Sequence, residues 1–199
     1  SFDIYSYRGA EKLRARLEEE LAEGDVAAII YSNPNNPAWI CLDEGELRVI
    51  GELATRYDAV VLEDLAYFCM DYRHELGRPF CEPYLPSVAR YTDNYILMLS
   101  ASKIFSYAGQ RIALCCISDA LYGKYYPALA ARYGDAGVFG STLTSSILYM
   151  MTSGCTSSTQ YAYAEMLSLS CEGVIDFVED TREYECRARR MKEIFCRHG

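Results

Sequence analysis

The chain reads as an α/β protein built on a largely parallel sheet. Three observations predict it. Apolar runs of strand length, Val26–Tyr31, Ala59–Glu63 and Tyr95–Leu99, are separated by segments of helical period or by a long irregular stretch. The runs are continuously apolar rather than alternating, which suits strands covered on both faces. Each run ends in a polar cluster, and in parallel sheets the carboxyl ends of the strands carry ligand sites.

The elements follow in order. Leu13, Leu17 and Leu21 recur every four residues among charges and Gly24 stops the pattern, so residues 10–22 form a helix. Val26–Tyr31 is a buried strand that ends at the turn-forming Ser32-Asn33-Pro34-Asn35-Asn36-Pro37. Asp43 with Glu46 makes a capping-box pattern. The helix it opens carries Leu47, Ile50, Ala54 and Tyr57 on one face. Ala59–Glu63 is the second strand, ending at Asp64, and residues 69–94 are irregular, rich in Tyr, Pro and charge. The strand 95–99 runs into Ser100-Ala101-Ser102-Lys103. The link 100–111 has no obvious crossover helix, which leaves an antiparallel placement open for the run Ile112–Ile117. Residues 119–133 read as one helix carrying Leu121, Tyr125 and Leu129. Residues 141–170 are helical with a break near Gly154, and 176–197 form one long charged helix with Phe177, Tyr184 and Met191.

With 199 residues, 51% of them apolar, the chain can bury a core of domain size. A net charge of −9 and a pI of about 4.8 argue against nucleic acid and anionic membrane surfaces as partners. No run approaches the roughly 18 apolar residues that span a bilayer. Ser1-Phe2-Asp3 lacks a basic n-region and an apolar h-region, so no signal peptide is expected. It also lacks Met, so the chain is expected to be an excised or processed piece. Nine cysteines are scattered without a C-x-x-C. The two histidines, His74 and His198, are far apart, so no metal site is expected. The cysteines read as reduced, buried thiols of a cytoplasmic protein.

The chemistry centres on Lys103. A lysine just past a buried strand, flanked by Ser100 and Ser102 and followed by Gly109-Gln110-Arg111, suits imine formation with a carbonyl cofactor. Desolvation and neighbouring cations lower a lysine's pKa and free its lone pair. Hydroxyls and a guanidinium fork fit a phosphate. Each residue also has an ordinary reading: Asn36-Pro37 a plain turn, Asp64 a helix cap, Tyr67 core, Ser100 and Ser102 loop hydroxyls, Arg111 a surface ion pair. What sets them apart is their joint position at three successive strand ends.

From about residue 25 to 199 the chain resembles the fold-type I, pyridoxal-phosphate-dependent aminotransferases of class I and II. The resemblance is carried by Ser32-Asn33-Pro34-Asn35-Asn36-Pro37, Glu63-Asp64-Leu65-Ala66-Tyr67, and Ser100-Ala101-Ser102-Lys103 with Gly109-Gln110-Arg111. It implies a three-layer sandwich, a mostly parallel sheet with helices on both faces. Residues 1–175 would be part of the large, cofactor-binding domain, and 176–199 a long helix leading toward a small domain outside this chain. It implies pyridoxal 5′-phosphate as cofactor and Lys103 as the Schiff-base lysine. Asp64 would pair with the pyridine nitrogen; Asn36 and Tyr67 would bond the 3′ oxygen; Ser100, Ser102 and Arg111 would hold the phosphate. The implied reaction moves an amino group between an amino acid and a 2-oxo acid in a homodimer. A lyase, decarboxylase or synthase would need the same Lys103 and Asp64, and a non-catalytic, ligand-sensing domain of this fold is a further alternative.

The chain departs from the family pattern at Ala38-Trp39, where Thr-Gly is usual, and at Ala113, where glycine is usual. The Trp39 ring either lies near the cofactor entrance or packs the following helix. The family's glycine-rich phosphate turn, its ring-stacking aromatic and its carboxylate-binding arginine are not found here. Arg187, Arg189 and Arg190 read as solvated charges on the last helix. A partial sheet would expose an apolar strand edge.

Overall fold

The computed structural model describes residues 1–70, 72, 76, 78–134, 137–176 and 181–198. Four strands form one sheet in the order β1-β2-β3-β4: β1 Ala28–Ser32, β2 Val60–Leu65, β3 Tyr95–Ser100 and β4 Ala113–Ile117. The first three are parallel and β4 is antiparallel to β3. Helix α2 (Glu44–Arg56) makes the crossover between β1 and β2. Only α3 (Ala101–Ile104) and a 3-10 turn (Ala108–Gln110) separate β3 from β4, too little chain for a crossover, so the strand turns back.

One face of the sheet is covered by α1 (Ala10–Ala22) and α2. Leu13, Leu17 and Leu21 meet Leu47, Leu53 and Val61 in a single buried cluster, as the helical spacing predicts. Full burial of one such side chain is worth about 1.5–3 kcal/mol. The α2 N-terminus carries the predicted capping box: Asp43 accepts from the Glu46 N–H at 2.8 Å, and the Glu46 carboxylate accepts from the Asp43 N–H at 3.0 Å. Over the lysine loop lies α8 (Ser157–Cys171), whose buried Tyr163 packs edge-on against Phe105 and donates to the Leu99 carbonyl at 3.4 Å. Burial, with the Cys116 thiol nearby, pushes the Tyr163 hydroxyl up to about 12.

Several expectations are corrected. The sequence predicts one helix over 119–133; the structure divides it into α4 (Asp119–Tyr122) and α5 (Pro127–Tyr133). Gly123 caps α4, Tyr125 bridges to Val138, and Pro127 forces Tyr126 into extended backbone before opening α5. β1 is not buried on both faces: Ile30 is 69% exposed, because among the described residues no strand pairs beyond β1. β4 is the other edge, and Ala113–Cys116 are exposed. The cysteines form no disulfide, but only Cys69 is buried; of the seven exposed, Cys115 and Cys116 lie on the open edge, Cys171, Cys186 and Cys196 on helices, and Cys81 and Cys155 in loops.

The 141–170 region does break near Gly154. Helix α6 (Phe139–Ser141) runs through a π-helical stretch (Thr142–Tyr149) into α7 (Met150–Thr152), and α8 begins afresh at Ser157. Among the described residues of 69–94 the only regular element is a 3-10 turn, Val88–Arg90. The last helix, α9, spans Arg182–His198, while Phe177 and the residues to 180, like His74, lie outside the described residues. Among the described residues no helix is long and apolar enough to cross a membrane, and no cluster of His, Cys, Asp and Glu is arranged for a metal ion.

Candidate active site

The carboxyl ends of β1, β2 and β3 lie side by side, since Ser32 pairs with Asp64 and Asp64 with Met98. The turn after β1 is anchored by asparagines. Asn33, buried, receives the Leu42 N–H at 3.0 Å and gives its own N–H to the Asp64 carbonyl at 3.0 Å. Asn35 bonds Ser32 Oγ at 2.9 Å and takes the Trp39 N–H on its carbonyl at 2.7 Å. This leaves Asn36 at the exposed tip, where its amide donates to the Tyr67 hydroxyl at 3.0 Å. Tyr67 follows β2, and the Lys103 Nζ lies 5.7 Å from its ring centroid, within cation–π range.

Lys103 is not in an irregular loop. Ser100 ends β3 and caps α3, its Oγ accepting from the Ser102 N–H at 3.1 Å, so Lys103 rides on one helical turn held at a strand end. The bond from the Ala101 N–H to the Ile112 carbonyl brings the backbone of Arg111 beside the turn that carries Ser100 and Ser102. Arg111 has left-handed backbone, φ 53, and its guanidinium donates to the Ala108 carbonyl at 2.9 Å. Asp64 takes the Ala66 N–H on its carboxylate at 3.0 Å.

Thus Asn36, Tyr67 and Lys103 are in one cluster, with Ser100 and Ser102 on the lysine's own turn. Asp64 and Arg111 are on adjoining segments, and among the described residues neither bonds to the other three directly.

Three residues absent from the sequence-derived set support the site. Glu63, fully buried one position before Asp64, accepts from Ser87 Oγ at 2.7 Å and the Val88 N–H at 3.1 Å, and the Asn33 amide approaches at 3.5 Å. Burial raises its carboxyl above the usual range against those donors. Burial, with the same carboxylate beside it, pushes the neighbouring Tyr31 hydroxyl far up. The signal for Glu63 was an acid on the inward register of β2, in phase with Val61 and Leu65. Asn33 is the second, visible only as part of the turn. Trp39 is the third. Its φ is 53, a region that favours glycine, and strain of this kind costs about 1–3 kcal/mol.

This fold is the large domain, in part, of the fold-type I pyridoxal-phosphate-dependent transferases. Residues 5–195 match the family described as aminotransferase class I and II, and the chain belongs to that family. It is 27% identical over 93 residues to a probable aspartate aminotransferase of Methanocaldococcus jannaschii, covering 47% of this chain and 22% of that protein. It superposes on the aspartate aminotransferase of Thermus thermophilus with a TM-score of 0.62 at 20% identity, covering 92% of this chain and 39% of that one. For Bna3p, a putative kynurenine aminotransferase of Saccharomyces cerevisiae, the TM-score is 0.68 at 16% identity, with 91% and 37% covered. The chain therefore spans well under half the length of these proteins.

The family implies pyridoxal phosphate, and the side chains present fit it: an amine, a phenol, an amide and an acid gathered at adjacent strand ends, with hydroxyls on the lysine's own turn. The Asn36–Tyr67 bond adds a specific point. A phenol oxygen that accepts from an amide keeps its own proton for a further acceptor.

Proposed function

We propose that this chain carries the cofactor-binding half-site of an aminotransferase that moves an amino group between an amino acid and a 2-oxo acid, with Lys103 as the Schiff-base lysine. The observation that carries the reading is the Asn36–Tyr67–Lys103 cluster at the carboxyl ends of adjacent parallel strands. When bound, pyridoxal phosphate supplies a carbonyl for the lysine and a ring that takes up electron density from the substrate's Cα.

The residues of the chain have distinct tasks. Lys103 would hold the cofactor through its carbonyl carbon, and its free amine would accept the proton leaving Cα. Asp64 holds the proton on the pyridine nitrogen, a charge-assisted bond worth about 1.5–3 kcal/mol. Tyr67 donates to the 3′ oxygen and Asn36 orients it. Ser100, Ser102 and the Arg111 guanidinium, which donates to the Ala108 carbonyl in this structure, would hold the phosphate.

The intact protein is a cytoplasmic homodimer in this reading, residues 1–175 belong to its large domain, and residues 176–199 lead to a second domain. The open apolar edge at Ile30 supports further chain or a second subunit covering this side. The test is 2-oxo acid production by the intact protein from amino acids, with and without a 2-oxo acid acceptor, alongside the Lys103→Ala variant. Acceptor-dependent production and loss of the cofactor's absorbance near ~420 nm in the variant are expected. Production without an acceptor, or persistence of the band, refutes the assignment.

A further inference from the structure

We propose that Trp39 is a positioning residue for Tyr67: its indole fixes the phenol ring that Asn36 and Lys103 also touch, and thereby sets the proton affinity of the bound cofactor. The proposal rests on the pyridoxal phosphate reading of the site.

The backbone is the first observation. At φ 53 Trp39 occupies a conformation that L side chains rarely adopt, and a bulky one least of all. The hydrogen bonds of its turn ask nothing of the side chain. The Trp39 N–H to the Asn35 carbonyl, at 2.7 Å, and the Asn35 N–H to the Ile40 carbonyl, at 2.8 Å, are backbone bonds that glycine would make without strain. The second observation is where the ring goes. It belongs to neither buried apolar cluster and is 36% exposed, so it does not serve as core. Among the described residues it makes two ring contacts: Tyr67 in a T-shaped pair at 5.5 Å and 72°, and Tyr72 at 6.0 Å and 36°. Edge-to-face pairs are directional and hold a ring's orientation as well as its position.

Tyr67 needs such a hold. It lies beyond the end of β2 in a turn, and among the described residues its hydroxyl bonds to Asn36 alone, itself at an exposed loop tip. Among the described residues its ring also meets the Trp39 indole and the Lys103 amine. A ring that tilts loses its aim at the cofactor's 3′ oxygen. A donor on that oxygen draws off the negative charge that would otherwise hold a proton on the adjacent lysine nitrogen. Losing the donor therefore raises the pH at which the bound cofactor's visible band changes.

The experiment is a spectroscopic pH titration of the intact, cofactor-loaded protein and four variants: Trp39→Gly, Trp39→Phe, Tyr67→Phe and the double variant Trp39→Gly/Tyr67→Phe. Trp39→Gly is expected to raise the midpoint by about one pH unit. Tyr67→Phe is expected to raise it at least as far, and the double variant should match Tyr67→Phe alone, because the indole acts only through the phenol. Trp39→Phe, which keeps an aromatic edge, should restore most of the wild-type value. An unmoved midpoint in Trp39→Gly, or additive shifts in the double variant, overturns the proposal. The contact itself is read without cofactor. The emission of Trp39, isolated as the difference between wild type and Trp39→Phe, should change in Tyr67→Ala. An unchanged emission overturns the contact. If wild type shows no visible band with pyridoxal phosphate, the site reading falls and with it the link to the cofactor, whereas the emission result stands by itself.

Discussion

The Asn36 side-chain amide donates to the Tyr67 hydroxyl at 3.0 Å, joining the turns after two adjacent parallel strands. Both residues sit in turns whose shape is set by other bonds, Asn33 and Asn35 for one and the backbone after β2 for the other. Asn36 is exposed, so in Asn36→Ala water replaces a bond worth about 0.5–1.5 kcal/mol net. Stability is expected to fall by less than about 1 kcal/mol. In the loaded protein the pH midpoint of the visible band should nevertheless rise. Thermal melts paired with spectra check this; a large loss of stability with an unmoved midpoint would assign Asn36 to the fold and not to the site.

Much of this arrangement is legible in the sequence because it depends on local pattern. The Leu13-Leu17-Leu21 spacing gives α1, the Asp43/Glu46 pair gives the start of α2, and the short link after Lys103 gives the reversal of β4. Asn36, Tyr67 and Lys103 stand out because they follow three strand ends. What is not legible depends on distant partners. The buried Glu63 is tolerated only because Ser87 and Val88, from a later irregular stretch, supply donors. The exposure of Ile30 reflects that among the described residues no strand pairs beyond β1, which no residue in β1 encodes. The helical period through Leu121, Tyr125 and Leu129 masks breakers that were in plain view, Gly123 and Pro127. The direction of the Arg111 guanidinium depends on a left-handed residue within a tight loop.

Gly51, in the middle of α2, is a packing requirement. A Cβ there would lie 2.6 Å from Tyr91 Cβ and 2.9 Å from the Tyr91 carbonyl carbon, and backbone cannot yield as a side-chain tip can. In an open helix, Gly→Ala would stabilise by about 1 kcal/mol. Overpacking costs about 1–3 kcal/mol and wins here. Gly51→Ala is expected to lower the urea midpoint with the denaturant slope unchanged. A raised midpoint would mean that α2 can shift away from Tyr91 at little cost.

Glu63 should make stability fall with rising pH. Burial raises its carboxyl in the folded state above the unfolded value of about 4.3. The folded state then binds the proton more tightly. The contribution is full below the unfolded value and is lost as pH climbs through the folded one. Glu63→Gln removes this slope, so the variant should gain on wild type between about pH 4 and the folded-state value. Urea unfolding at pH 4 and pH 8 reads the difference. Parallel losses in both proteins would show that the Ser87, Val88 and Asn33 donors cancel the burial.

Glu46 has the opposite sign. Burial pushes its carboxyl up, but the Arg8 guanidinium, with Nε at 2.6 Å and Nη2 at 2.9 Å, and the N–H groups of Gly9 and Asp43 outweigh it and hold it below the usual range. Its contribution is present above the unfolded value of about 4.3 and is lost as pH falls through the folded one. The two ends of the pair differ in burial: the Glu46 side chain is inaccessible, whereas that of Arg8 is 36% exposed. Arg8→Ala strands a buried carboxylate and is expected to cost about 3–5 kcal/mol at pH 7. Glu46→Gln leaves a guanidinium that can turn to water, and should cost about 1–3 kcal/mol. Both penalties should shrink at pH 3–4, where wild type also begins to lose the charge. Denaturant unfolding of the two single variants at pH 7 decides the ordering. Equal penalties would mean that water reaches Glu46 once the guanidinium is gone.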